Sequence, residues 1–234
     1  MSIGPSFPPL MHGFNVAGAD PFEAALAEAI AGCDAGTIYY DITPEQLRAA
    51  IVFAPEVPLA KSAAMLPLTG VAVQNALGAL GPAELPVHLD WRGPIRVNGA
   101  MCGALKAAAD TPDPTQTPAY LVTGFSLVFD RAGDGGETPD QTALVQEGCG
   151  DLDPVQFIES WSRHLLNWVS RWEEDGIGAL HREYAGLVYG MGDEITVGDQ
   201  SGIFLGLDEE LGLLLKTGNG TIVLPVSSRL ETRT

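Results

Sequence analysis

Between residues 153 and 174, apolar positions recur at intervals of three and four: Phe157, Ile158, Trp161, Leu165, Trp168, Val169 and Trp172. That period places them on one stripe of a long helix. Asp153-Pro154-Val155-Gln156 ahead of it resembles a capping box, and Gly176 stops it. The three tryptophans read as core, because each buries a large apolar area. A shorter helix is predicted over 20–32, where Asp20 is the N-cap, Pro21 takes the first helical position, and Phe22, Ala25, Leu26, Ala29 and Ile30 follow at helical spacing. The Ala- and Leu-rich stretch 59–80 predicts a third helix, with Val73, Leu77 and Leu80 on one face. It should cover one face of a sheet, with a kink or frayed join at Pro67 and Gly70.

Shorter apolar runs read as strands over 38–40 and 49–53, on either side of a turn at Thr43-Pro44, and then over 87–89, 95–97, 101–108 and 120–129. Asn98-Gly99 is the strongest hairpin signal in the chain. Two loops separate later elements, a proline-rich one at 111–118 and a Gly- and acid-rich one at 131–140. After Tyr189 the texture changes to short strands with tight turns, 194–197, 201–207, 213–216 and 221–226. The pattern predicts an α+β chain: a mixed sheet with flanking helices over 1–188, and a small antiparallel barrel over 189–234.

Charge narrows the function classes. Among 234 residues, 30 acidic side chains face 12 basic ones, a net charge of −18. Such a surface repels nucleic-acid backbones and anionic lipid headgroups over roughly a Debye length, ~8 Å at physiological salt. Uninterrupted apolar runs fall short of the ~20 residues that span a bilayer, and residues 1–11 lack a basic n-region. A soluble cytoplasmic protein is expected, without nucleic-acid or membrane partners. Cys33, Cys102 and Cys149 are odd in number and lack a C-x-x-C spacing, so free buried thiols are expected. His12, His88, His164 and His181 show no metal-ligand spacing, and no structural metal is expected.

The candidate chemistry lies in one hairpin. Asp90-Trp91-Arg92-Gly93-Pro94, followed by Val97-Asn98-Gly99-Ala100-Met101-Cys102-Gly103, resembles the active-site hairpin of biotin protein ligases with its two lysines missing. Asp90 stands where the first lysine of the family's K-W-P-N-D motif would be, and Ala100 where the lysine of G-R-K-x-x-G would be. The resemblance to the biotin and lipoate protein ligase superfamily runs from about residue 19 to the end. Gly36-Thr37-Ile38-Tyr39 is similar to the family's G-N-L-Y strand start, and Gly124 to the glycine of its G-I-N strand. Thr142-Ala143-Leu144 with Glu147-Gly148 is similar to T-S-L-x-x-E-G, and Gly206-Leu207-Asp208 with Leu213-Leu214-Leu215 to the signature of the C-terminal, Src-homology-like barrel. With about 19 residues ahead of the first helix, no counterpart of the family's DNA-binding head is expected.

The resemblance implies a ligand-binding set of Gly36, Thr37, Trp91, Arg92, Asn98, Gly99, Gly103, Gly124 and Ser126. It implies biotin and ATP with Mg²⁺ as ligands, a carrier domain as acceptor, and an exposed sheet edge available for a homodimer. Joining a carboxylate to the α-phosphate of ATP crowds anions together, so the site needs cations or N–H donors. Here the arginine-rich G-R-G-R-x-G loop is replaced by Ala31-Gly32-Cys33-Asp34-Ala35-Gly36, S-T-N by Ala19-Asp20-Pro21, the asparagine of G-I-N by Ser126, and P-N-D by Arg92-Gly93-Pro94. Arg92, Arg96, Lys106 and Lys61 are candidates to restore charge, or are solvated surface cations; Asp90 is a metal ligand or base, or the partner of Arg92 or Arg96. Two readings follow: a divergent member that binds a small acyl ligand with reduced or altered ligase activity, or an active ATP-dependent biotin or lipoate protein ligase.

Overall fold

A computed structural model of the chain describes residues 4–131 and 138–233. The sheet begins with β1 (His12–Asn15), is joined after α1 (Pro21–Ala31) by β2 (Thr37–Ile42) and β3 (Gln46–Phe53), and continues after α2 (Leu59–Ser62) and α3 (Met65–Leu80) with β4 (Val87–Asp90), β5 (Pro94–Val97), β6 (Ala100–Ala109) and β7 (Leu121–Val128). Helices α4 (Pro154–Asp175) and α5 (Gly178–Leu187) lead into β8 (Val188–Tyr189). The spatial order is β1-β2-β3-β7-β6-β5-β4-β8, antiparallel at its centre and parallel where β1 meets β2 and β4 meets β8. A second sheet of β9 (Glu194–Val197), β10 (Gln200–Leu207), β11 (Leu213–Thr217) and β12 (Gly220–Leu224) is an antiparallel meander.

The alternation of side chains along each strand divides the sheet's faces. Leu47, Ala49 and Ile51 of β3 and Phe125 and Leu127 of β7 point to one side, where they bury against α3 and α4; Phe157, Trp161 and Leu165 complete that core. Phe125 meets Phe157 and Trp161 edge-on at 5.9 and 5.0 Å between ring centroids. The opposite side carries a smaller core, in which Phe22, Ala25, Leu26 and Ala29 of α1 cover Tyr39, Ala50, Val52 and Val122. The rest of that face, toward Gln46 and Val128, is open. Asp20 and Asp153 cap α1 and α4 as their positions predict, each accepting from two backbone N–H groups.

Several sequence expectations change. The helix expected over 59–80 is broken at Ala63-Ala64 rather than at Pro67, which sits in the first turn of α3 where no helical donor is lost. Gly70 is there for packing: a Cβ would lie 2.7 Å from Leu105 Cδ1 and 3.0 Å from Leu89 Cδ1. By length and composition Leu59–Leu80 could cross a membrane, but most of it is buried among the protein's own elements. Cys102 and Cys149 are buried, whereas Cys33 is half-buried; all three are free thiols. The Gly- and acid-rich loop expected at 131–140 lies largely outside the described residues.

The C-terminus leaves the meander and returns to the large sheet. After the 3-10 turn Val226–Arg229, β13 (Glu231–Thr232) pairs in parallel with Ala108 and Ala109 of β6. Arg229 stacks over Trp91 at 5.3 Å, and the Trp91 indole N–H donates to the Leu211 carbonyl at 3.0 Å. Trp91, 2% exposed, therefore ties the meander and the returning segment to β4. Trp91→Phe should lower stability by about 1–3 kcal/mol, because the buried Leu211 carbonyl loses its donor. Urea unfolding and hydrogen exchange over 194–224 check this; unchanged protection there would contradict it.

Candidate functional site

Asp90 ends β4, and its buried carboxylate gathers the hairpin's charge. Arg92 donates to Asp90 Oδ1 at 2.8 Å from Nε and to Oδ2 at 2.6 Å from an Nη, with the Arg92 backbone N–H on Oδ1 at 3.0 Å. Arg96 stands 3.7 Å from Oδ2 and lies over the Tyr189 ring at 4.5 Å. Burial works to raise the Asp90 pKa, but hydrogen bonds from Arg92 and the charges of Arg92 and Arg96 outweigh it and hold the carboxyl below its usual value. The same partner raises the Arg92 pKa. This is the ion-pair role for Asp90, and it engages both arginines with a carboxylate.

Behind this corner, on the helix side, Arg229 and Tyr184 border a space of about 10 Å³ beside Trp91 and Gly93. Burial lowers the Arg229 pKa and raises that of Tyr184. Trp91 faces this buried knot. At the tip, Asn98 and Gly99 take φ of +51° and +85°, the signature of a tight primed turn. The Asn98 side chain donates to Glu147, which also accepts from Thr142, and Arg96 donates to the Gly99 carbonyl at 2.9 Å. Ala100 follows, paired with Val97.

The open sheet face holds a different set. A cavity of about 220 Å³ lies between the start of α1 and the strands β3, β7 and β6. Gly124 and Ser126 of β7 form its floor, with Phe22 and Ala104 as apolar wall and Arg48 and Lys106 as its cations. Gly124 is required by close approach: a Cβ there would lie 2.9 Å from the Ala49 carbonyl oxygen and 3.1 Å from Phe22 Cδ2. Arg48 pairs with Asp41 at 2.5 Å and donates to the Ala19 carbonyl at 3.2 Å, while its Nε is buried without a partner. Lys106 Nζ lies 5.8 Å from the Phe22 ring centroid. A neighbouring hollow of about 480 Å³ shares Gln46 and Ala104 and is bordered by Gly103, Glu45, Asp130 and Arg131.

Of the sequence-derived positions, Gly124 and Ser126 come together in the cavity and Gly103 lies in the adjoining hollow. Trp91, Arg92, Asn98 and Gly99 sit in the hairpin corner and tip. Gly36 and Thr37 lie at the other end of the sheet: Gly36 N–H donates to the Val52 carbonyl and Thr37 Oγ1 to the Asp34 carbonyl. With Asp41 paired to Arg48, Thr37 and Gly36 are about 14 and 17 Å along the strands from Arg48. Lys61, a candidate to restore charge, instead borders a separate groove with Phe53 and Trp172 on the helix side. Sequence reasoning missed Arg48 and Asp41. The signal was the alternation Gln46-Leu47-Arg48-Ala49, which extends β3 three residues before Ala49 and turns Arg48 to the face opposite Leu47.

Two predictions follow from these contacts. Gly124→Val should cost about 1–3 kcal/mol, since the added side chain must push against Phe22 and the β3 backbone; a denaturation midpoint equal to that of the natural protein would contradict it. Asp90→Asn should cost about 1–3 kcal/mol at pH 7, toward the lower figure because Arg92 is 38% exposed and water screens the pair. A depressed carboxyl pKa contributes stability above the unfolded value near ~3.9 and loses it as pH falls through the folded value. The stability gap between the two proteins should therefore close on acidification from about pH 5 to pH 2, as read by urea unfolding at each pH.

Comparison with known proteins follows the same outline. Residues 7–186 match the model of the Biotin/lipoate A/B protein ligase family. A biotin protein ligase-like protein of unknown function from Silicibacter sp. TM1040 is 50% identical and superposes with a TM-score of 0.91, over 97% of this chain and 99% of that one. The biotin protein ligase from Aquifex aeolicus shares the fold at 17% identity, with a TM-score of 0.73 over 97% of this chain and 99% of that one. The same enzyme in complex with biotin and ATP superposes at 0.69, with 16% identity over 93% and 96% of the two chains. No curated protein matches the sequence. With a family model spanning most of its length and a fold that follows that family from β1 to the C-terminal meander, the chain belongs to the biotin/lipoate A/B protein ligase family.

Proposed function

We propose that the protein is a divergent family member that holds a small acyl ligand in the sheet-face cavity and has reduced or altered ligase activity. The observation that carries this reading is the buried Asp90 carboxylate, which binds Arg92 and Arg96 at a position where the sequence resemblance implies a family lysine. The two arginines nearest the hairpin are thereby drawn onto a protein carboxylate rather than left for a ligand phosphate. The residues present do not fit a triphosphate: Arg48 is paired with Asp41, Lys61 faces elsewhere, and the hollow next to the cavity is bordered by Glu45 and Asp130. No cluster of three or more metal-ligating side chains occurs among the described residues.

Losing one well-placed donor of developing negative charge typically lowers turnover by about 10²–10³-fold, and here several family donors are replaced together. The retained cavity supports the binding half of the reading, and the complex of the Aquifex enzyme with biotin and ATP makes those compounds the natural first probes. A carrier domain is the protein partner we propose, and the three free cysteines favour a reducing compartment, the cytoplasm.

ATP–pyrophosphate exchange with biotin, lipoate or octanoate should run at least about 100-fold below that of an active ligase. An acyl acid should raise the melting temperature and ATP alone should not, since only a ligand bound to the folded state stabilises it, by about 2.7 kcal/mol at a hundred times its Kd. Exchange at the rate of an active ligase would establish the alternative, an ATP-dependent biotin or lipoate protein ligase.

A further inference from the structure

We propose that the groove on the helix side of the large sheet is a second ligand site, built for a small hydrophobic cation such as an alkyl or aryl amine. It is separate from the sheet-face cavity and does not rest on the acyl-binding reading.

The groove forms where three parts of the chain meet: the loop after β3, the last turns of α4, and the turn between β10 and β11 of the meander. It encloses about 790 Å³, within the ~300–1,000 Å³ common for small-molecule sites. Phe53, Val57, Met65, Val169, Trp172 and Ile177 give it an apolar lining. Phe53, Val169, Trp172 and Ile177 pack on the main core with one side and stay only half-buried on the other. An apolar body laid along them completes a burial that the fold leaves unfinished.

The polar groups around that lining ask for a cation. Ser62 borders the groove, is 2% exposed, and its Oγ has no hydrogen-bond partner. A buried hydroxyl left in that state costs free energy, and an ammonium N–H supplies the missing donor. Glu56, Glu173 and Glu210 border the same groove, exposed and without an ion pair among the described residues. Against these three carboxylates the lining sets one ammonium, Lys61. Helix α4 adds to the imbalance, because it ends in Glu173-Glu174-Asp175 with no basic residue in its last turn. Carboxylates there stand at the negative end of the helix dipole, the reverse of the arrangement that stabilises a helix end. A bound cation offsets both, and Trp172 in the same turn offers it an aromatic ring. Acidic side chains are common on a chain of net charge −18; what sets this groove apart is the unpartnered hydroxyl and the apolar lining beneath them.

Isothermal titration with octylammonium and with neutral 1-octanol tests this. The variants are Ser62→Ala, the pair Glu173→Gln with Glu210→Gln, and a control pair, Glu174→Gln with Glu209→Gln, which changes net charge equally at exposed neighbours outside the groove. Octylammonium should bind the natural protein at least about tenfold more tightly than octanol, and the groove pair should weaken it about tenfold while the control pair changes it less than about twofold. Ser62→Ala should weaken it about fivefold through the lost hydrogen bond. Tryptophan emission should shift on binding, since Trp172 is the one tryptophan not buried. Equal affinity for the ammonium and the alcohol, equal losses in the groove and control pairs, an affinity unchanged in Ser62→Ala, or no binding at millimolar concentration would each overturn the inference. None of these outcomes bears on acyl binding in the sheet-face cavity, which has its own lining.

Discussion

The bidentate pair between Asp90 and Arg92 is the interaction on which the rest of the molecule turns. It closes the corner between β4 and β5, holds Arg96 nearby, and leaves the adjacent Trp91 free to point the other way into the core. Trp91 in turn receives the meander through Leu211 and the returning C-terminal segment through Arg229. A carboxylate at this position makes the corner a structural joint. Buried charge of this kind is tolerated because it is paired and hydrogen-bonded on every side, with the guanidinium of Arg92 still reaching water.

That conversion separates shape from charge. The sheet keeps the glycine at 124 that lets α1 approach, and the tight turn at Asn98-Gly99 that starts β6, so the open face retains its hollow. The positive groups that border it come from the middles of β3 and β6 rather than from the hairpin or the loop after α1. Among the described residues two line the cavity, Arg48 and Lys106, and the first already has a carboxylate partner. Such an arrangement suits recognition of a monoanion more than the gathering of ATP and an acid into one transition state, where developing charge must be met by several preorganised donors.

Much of the fold was legible in the sequence because its long elements carry strong periods. The three- and four-residue spacing of α4, the N-caps at Asp20 and Asp153, and the primed turn at Asn98-Gly99 are local signals with local causes, and each stands where it was expected. What escaped was short or non-local. β1 is a four-residue strand of mixed polarity paired in parallel with β2; α5 lacks a clean apolar stripe; and β13 is two residues long, defined only by its partner β6. The site was half legible. The resemblance named Gly124 and Ser126, which line the sheet-face cavity, but Arg48 was hidden by starting β3 at Ala49, and the fate of Arg92 and Arg96 depends on side-chain geometry that spacing does not encode.

A crystal structure of the protein grown with octanoate and ATP together tests the central claim most directly. The account predicts an acyl ligand in the sheet-face cavity, with Arg92 still on Asp90 and no ordered triphosphate. A triphosphate ordered against the hairpin, with Arg92 and Arg96 swung away from Asp90 to meet it, would contradict the account.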